Sequence, residues 1–415
     1  MMRKSFPCFL LLIAIAAHAQ TPDSAPESNF GFSLPVTLSG GAMYSGRLQL
    51  EDGGSPFSAG FQAVLYPTVT LGPHWFAYAA EQIRLAPYLY YDAYDPDHEW
   101  YIQTIQAYLG YQIRNDKATV VFKAGRLASA FGAFPLHYDD AENPLLDQPL
   151  SYIQTLTLRN DQLPCGVADL RSQPYGYVEN SCGGAWGDGD EGLTPVSLYG
   201  LPGIEADVSS HRIDARLQIA SGSPSDPLSL SHTAQYAQWV LGGGYTIRQG
   251  FRIGVSGFRG PYLAPDTAAA LPAGTNVRSF PASAVGLDVQ WALGHWSASG
   301  EWQRFQYDLP AFNRAPSLLS SYAEAKRILT PRLYLAARAG YLKPGGAADV
   351  TGASTSQFAP WIQSYELGGG WWLNRHQMLK VSYEWLRIQD FPGTRTNVLG
   401  VQFVTTLHAI DQAFH

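Results

Sequence analysis

The sequence predicts an all-β fold, a closed antiparallel transmembrane β-barrel of about 16 strands. Three observations predict it. Segments of about ten residues alternate apolar with polar or small side chains, the period of a strand. The links between these segments alternate short and long. Charged residues are 15% of the chain and aromatic residues 13%, with 24 Tyr and 11 Trp, whereas soluble proteins carry roughly 25% charge. An apolar, aromatic-ringed outside with a polar inside accounts for that mixture.

The first 19 residues read as an export signal. Arg3 and Lys4 supply the positive start, Phe9 to Ala17 the apolar run, and Ala17-His18-Ala19 the cleavage site, so Gln20 is the expected mature N-terminus. The run is too short to span a bilayer. Cys8 precedes it and leaves with it. Residues 20–31 form a short N-terminal segment, and 32–415 the barrel. Cys165 and Cys182 lie close together in a Gly- and Asp-rich stretch. In an exported chain that pattern most simply means one disulfide, since histidines at metal-ligand spacing are missing. No later apolar run reaches the length of a membrane helix. A net charge of −7 with no basic run argues against a nucleic-acid partner.

The alternation is clearest where Leu379, Val381, Tyr383 and Trp385 interleave with Lys380, Ser382 and Glu384. Others are Ile213 to Ile219 around Asp214, Arg216 and Gln218, and Val285 to Trp291 around Gly286, Asp288 and Gln290. The expected strands span 34–50, 57–71, 75–91, 100–114, 118–126, 193–208, 212–221, 234–248, 251–259, 281–293, 296–307, 318–329, 332–343, 360–373, 377–388 and 397–407. Links after even strands are short, as in Gly72-Pro73-His74, Gln249-Gly250 and Gly294-His295; those after odd strands run longer, as in Gly260 to Phe280. Tight turns at one end and large loops at the other belong to barrels of the bacterial outer membrane, the expected location. Trp75, Phe76, Tyr245, Phe251, Trp291, Trp296, Trp371 and Trp372 crowd the short turns, as a headgroup-level girdle would. Pro67, Pro87 and Pro202 fall inside expected strands, and each needs a rim or a bulge.

The link after the fifth strand, about 127–192, is far longer than the rest, and loops of such length are usually functional. In strand count, loop alternation, place of the long loop, and the segment Lys123-Ala124-Gly125-Arg126 leading into Phe131-Gly132, the chain resembles the sixteen-stranded bacterial porins. The resemblance covers the mature chain as a pattern and rests on no single specific motif. It implies a long third loop folded into the lumen as a constriction, and a homotrimer. It places the loop acids Asp139, Asp140, Glu142 and Asp147 opposite basic wall residues, for which Arg47, Arg84, Lys123 and Arg126 are the candidates. Opposed charges make a transverse field that favours small polar solutes and ions. The alternative is a solvated acidic loop on the outer surface. A further hairpin near Tyr152 to Leu158 would make 18 strands. The family's last strand ends the chain on an aromatic residue, whereas here Phe414 precedes a final His415 and the expected strand stops at Leu407.

Other inward candidates are Asp214, Arg216, Arg252, Asp288, Glu301, Glu324, Lys326, Arg338, Glu366, Lys380 and Glu384, because Arg or Lys facing lipid at mid-depth costs about 2–4 kcal/mol. Their signs are mixed. Tyr88, Tyr90 and Tyr91 are the only hint of an aromatic slide for sugars. Asp188, Asp190 and Glu191 suit calcium only weakly and read better as an acidic turn. No cofactor or metal is expected. The expected activity is passive diffusion of small polar solutes or ions. The main alternative is a substrate-specific channel. A receptor would need a plug domain, for which residues 20–31 are too short. A barrel enzyme or adhesin is the lesser alternative: His137 and His211 have no serine at catalytic spacing, and the expected assignment is not an enzyme.

Overall fold

The computed structural model describes residues 30–45, 56–85, 88–89, 100–134, 139–172, 192–197, 199–225, 237–389 and 396–414. The first strands are β1 (Phe30–Ser45), β2 (Phe57–Leu65), β3 (Thr68–Leu71), β4 (Trp75–Leu85), β5 (Trp100–Arg114) and β6 (Ala118–Leu127). After the long loop come β7 (Leu201–Ser210), β8 (Ile213–Ser221), β9 (Ala237–Arg248), β10 (Phe251–Pro261), β11 (Pro281–Leu293), β12 (Trp296–Tyr307) and β13 (Phe312–Arg314). The rest are β14 (Ser317–Thr330), β15 (Leu333–Pro344), β16 (Ala347–Asp349), β17 (Ser354–Thr355), β18 (Ile362–Trp372), β19 (Gln377–Ile388) and β20 (Thr396–Phe414).

Seventeen of these strands form one antiparallel sheet that closes on itself, and β13, β16 and β17 form a small separate sheet at the long-loop end. β2 and β3 pair in succession with β1 and β4 and act as one stave. The barrel therefore has sixteen staves. Closure leaves no strand edge facing lipid, where an unpaired backbone group would cost several kcal/mol.

The seam differs from the expected one. β20 does not stop at Leu407; it runs to Phe414 and pairs with β1 from Ser45↔Val398 to Phe30↔Phe414. The terminal aromatic thus lies within the closing ladder. β4 ends at Leu85 and not at 91, and β7 begins at Leu201 and not at 193. No eighteenth strand forms near 152–158. Leu150–Ile153 is a short helix, α1, and backbone hydrogen bonds there join Leu156 and Leu158 to Leu193 and Ser151 to Val196. Pro67 sits in the break between β2 and β3 opposite an irregularity at Pro35, where the Tyr66 amide donates to Pro35 O and the Ala79 amide to Pro67 O. Pro202 is the second residue of β7, at a rim.

Side chains alternate as the sequence dictates. On β19, Val381 and Tyr383 are exposed outward while Lys380, Ser382 and Glu384 are buried inward. Gly250 and Gly294 have φ of 76° and 60°, a left-handed backbone that only glycine adopts cheaply in the two-residue turns. The aromatics near the turns divide between faces. Trp75, Trp296 and Trp371 are exposed outward. Phe76 and Trp372 instead turn inward, Phe76 lying edge-on to Tyr108 and Trp372 against Tyr334.

Candidate pore and its inserted loop

The chain leaves β6 at Leu127 and enters the barrel. Inward side chains of successive staves hold its backbone. Gln218 Nε2 donates to Ala128 O at 2.8 Å, and Ser256 Oγ accepts from the Gly132 amide at 3.1 Å. Glu301 accepts from the Phe134 amide at 2.9 Å and from the Tyr152 hydroxyl at 2.8 Å. Glu366 Oε1 accepts from the amides of Leu146 and Asp147. Arg338 donates to Asp147 O at 2.6 Å and Asn143 Oδ1 at 2.8 Å. Lys380 Nζ reaches the carbonyls of Asp140, Asn143 and Leu145 at 2.7, 3.1 and 3.3 Å. A loop carries backbone donors and acceptors that must be paired when buried, and the polar inner wall pairs them.

On the side of β9 to β19 the loop also supplies a dry core. Phe131 packs edge-on to Phe258 at 5.1 Å and to Phe305 at 5.7 Å, and Phe134 lies 5.1 Å from Tyr152. Leu156, Leu158, Leu163 and Leu170 join them with Tyr262, Tyr307 and Leu342. Each such side chain gains roughly 1.5–3 kcal/mol by leaving water, so this part of the lumen is filled. A second helix, α2 (Val167–Ser172), is tied to the outer sheet by Asp349 Oδ2, which accepts from the Val167 amide at 3.0 Å.

Open space remains against β3 to β8. A cavity of about 300 Å³ is lined by Tyr66, Tyr78, Gln106, Tyr108, Lys123, Asp139, Glu205 and Arg216, with Leu127 and Ala128 at its edge. Lys123 bridges Glu205 at 2.8 Å and Asp207 at 2.5 Å. Asp139 projects from the loop, held by the hydroxyls of Tyr66 and Thr37. Burial pushes its carboxyl up, against the lowering effect of the Tyr66 hydrogen bond. Three tyrosines form a row along this wall, with ring centroids 6.5 Å apart for Tyr66 and Tyr78 and 5.4 Å for Tyr78 and Tyr108. A second cavity of about 420 Å³ lies nearer the short turns, with Glu142, Arg252, Glu324 and Lys326 among its lining.

The expected site residues divide as follows. Lys123 and Asp139 meet at the first cavity. Asp140 is buried beside it, accepting from Gln62 and Tyr88. Arg84 points inward but is buried against Tyr199, whose hydroxyl accepts from it at 3.2 Å. Arg126 is a correction. It pairs laterally with Ala107 and Pro202, in the register of the exposed Leu109, Phe122 and Ile204, and so faces out of the barrel. Strict alternation from the inward Lys123 already gives Arg126 the opposite face. Asp147 is buried beside Glu366 and Glu384 rather than facing a base across open water; burial first, then those two carboxylates, push its carboxyl well up.

Of the other inward candidates, Arg252 bridges Asp214 and Asp288 at 2.6 and 2.5 Å, Arg216 donates to Gly132 O, and Glu324 pairs with Arg338. Glu301, Arg338, Glu366, Lys380 and Glu384 are all on the inner wall but are covered by the loop or packed beneath it, so they seat the loop instead of lining free water. The aromatic row is not the one expected. Tyr88 is buried beneath the loop, with Leu89 packed so close over Gly41 that a Cβ there would meet its Cδ2 at 2.8 Å. Sequence reasoning passed over Glu205 and Asp207, although Ile204, Ala206 and Val208 alternate with them. Residues 1–29, which include the expected export signal, and Arg47, Pro87, Tyr90, Tyr91, His137, Cys182, Asp188, Asp190 and Glu191 lie outside the described residues; Cys165 lies just before α2, its amide donating to Asp169. His211 is an exposed turn residue.

No protein-family model and no curated protein sequence matches the chain. Its fold matches solved structures over nearly their whole length. OmpF of Salmonella typhi and the outer-membrane channel DcaP of Acinetobacter baumannii each align at 10% identity with a TM-score of 0.55, covering 91% of this chain and 98% of theirs. The anion-selective porin of Comamonas acidovorans aligns at 9% identity with a TM-score of 0.53, covering 91% and 100%.

Proposed function

We propose that this porin-like β-barrel is a bacterial outer-membrane channel through which small polar solutes or ions diffuse passively, by way of the opening between the inserted loop and β3 to β8. The observation that carries the reading is the charge arrangement there: Asp139 on the loop and Lys123, Glu205 and Arg216 on the wall border one polar cavity, and Lys123 also pairs with Asp207 behind it. Charges of both signs across a narrow, low-dielectric opening order water and disfavour apolar solutes. The dry core on the opposite side supports the same path, since closely packed aromatic and aliphatic side chains exclude water and polar solutes there. Single-channel recording tests the reading: ohmic steps insensitive to sugars are expected, and Lys123→Gln shifts the reversal potential toward cations.

A second reading, a channel specific for a hydroxylated ring solute, is favoured by the Tyr66, Tyr78 and Tyr108 row, because successive aromatic faces offer a planar solute a continuous apolar surface. Block of the ionic current by a sugar, relieved in Tyr78→Ala, selects this reading over the first.

The proposed assembly is a homotrimer. Supporting it, Glu81 and Arg126 stand on the outward register of β4 and β6 and interact electrostatically, and Thr104 donates to Glu81 at 2.8 Å. An arginine facing lipid near a rim costs about 0–1 kcal/mol, and more with depth, a cost that a neighbouring subunit on this face would remove.

A further inference from the structure

The outer wall over β9 to β11 carries a groove at the long-loop end of the strands. It is about 470 Å³ in volume, and its floor includes Trp239, Leu241, Gly257 and Pro261. Trp239 and Leu241 are among the most exposed apolar side chains of the wall, at 60% and 54%. Two guanidinium groups border it, Arg259 two residues before the end of β10 and Arg278 in the following loop. The lateral row through Leu241 and Gly257 continues through Val285, Arg304, Leu319 and Lys343, so two more outward cations follow near the same ends of β12 and β15. No Asp or Glu occupies an outward position on β9 to β15. Asp308, just past β12, accepts from Gln306.

Cations gathered at one end of a lipid-facing wall, above an apolar recess, match a molecule with anionic headgroup and hydrocarbon tail. A lipid chain fills the groove, and its phosphate meets the guanidinium groups, which bind phosphate with charge-assisted, geometrically directed hydrogen bonds. Each cation near an anionic lipid surface adds to the attraction. A second copy of this chain would have to present carboxylates to these arginines, and the same wall has none to offer.

We infer that this groove binds a phosphorylated lipid of the leaflet at the long-loop end, with Arg259 and Arg278 holding the phosphate and Trp239 and Leu241 the acyl chain. The inference rests on the membrane-barrel reading. The full chain is refolded into neutral phosphatidylcholine nanodiscs, and insertion is scored first by heat-modifiable gel mobility, so failure of the barrel is seen separately. Bis-phosphorylated lipid A and its dephosphorylated counterpart are then added, and the lipid retained per chain is measured by native mass spectrometry. Retention of the phosphorylated form is expected to exceed the other about tenfold, to weaken with salt, and to fall about tenfold in the R259Q and R278Q double variant. Should that variant not fold, the phosphate and salt dependence of the wild type decide. Equal retention of both lipids, retention unchanged in a folded double variant, or disulfide cross-linking of two chains through Trp239→Cys overturns the inference.

Discussion

The ammonium of Lys380 on the barrel wall donates to the carbonyl oxygen of Asp140 on the inserted loop at 2.7 Å, and the same nitrogen also reaches the carbonyls of Asn143 and Leu145. One fully buried cation thus caps three backbone acceptors of a segment that would otherwise sit unpaired in the lumen. Lys380→Met removes these bonds and leaves the carbonyls buried. A loss of about 3 kcal/mol of loop seating is expected, since hydrogen bonds to charged groups contribute about 1.5–3 kcal/mol and orphaned acceptors add to that. In bilayer recordings the variant should show larger and noisier conductance steps, with its folded gel mobility retained. Steps identical to wild type would remove the loop from the account of conductance.

Lys123 lies between Glu205 and Asp207, so its charge is already spent on the wall. Lys123→Gln leaves two uncompensated carboxylates beside the opening and should move the reversal potential in a salt gradient toward cation selectivity. The Glu205→Gln variant should move it the other way. Parallel shifts of the same sign in both variants would show that these charges do not border the conducting path.

Asp147 gives the loop a pH dependence. Its carboxyl is pushed well above its ordinary value by burial and by Glu384 and Glu366. A raised carboxyl favours the protonated form in the seated loop. Its contribution is therefore complete below the ordinary aspartate range of about 3.9 and is lost as pH rises through the elevated value. Asp139 shifts in the same direction. The loop should sit more firmly in acid, seen as quieter and smaller steps on acidification. Asp147→Asn should flatten that dependence. Firmer seating at alkaline pH would contradict the assignment.

The alternation of side chains made the barrel legible, because a lipid outside and a wet inside demand it of every stave; β19 could be read residue by residue. What the alternation could not convey is where the ladder is irregular. Arg126 needs no irregularity to face outward: the period-2 pattern itself sets it with Phe122 and Ala124, on the face opposite Lys123. Phe414 was excluded from the last strand because residues 408–414 lack a clean alternation, while pairing with β1 depends on a partner almost four hundred residues away. The inward charges were found, but their roles were not. Arg338 and Glu366 look like wall residues until the loop is seen lying across them, and no local signal says which polar group meets water and which meets a carbonyl. Glu205 and Asp207 did alternate with apolar neighbours and could have been found.

Cys165 and Cys182 are the two cysteines beyond the expected export signal. If they form the disulfide proposed from their spacing, the mature protein denatured without reductant should take up no thiol reagent, and after reduction should take up two equivalents. Labelling before reduction would rule the bridge out.

Conductance of the purified mature protein in a planar lipid bilayer tests the central claim most directly. The account predicts discrete, ohmic current steps that grow when residues 139–147 of the inserted loop are deleted. A folded protein that inserts yet passes no current, both with the loop and without it, would contradict it.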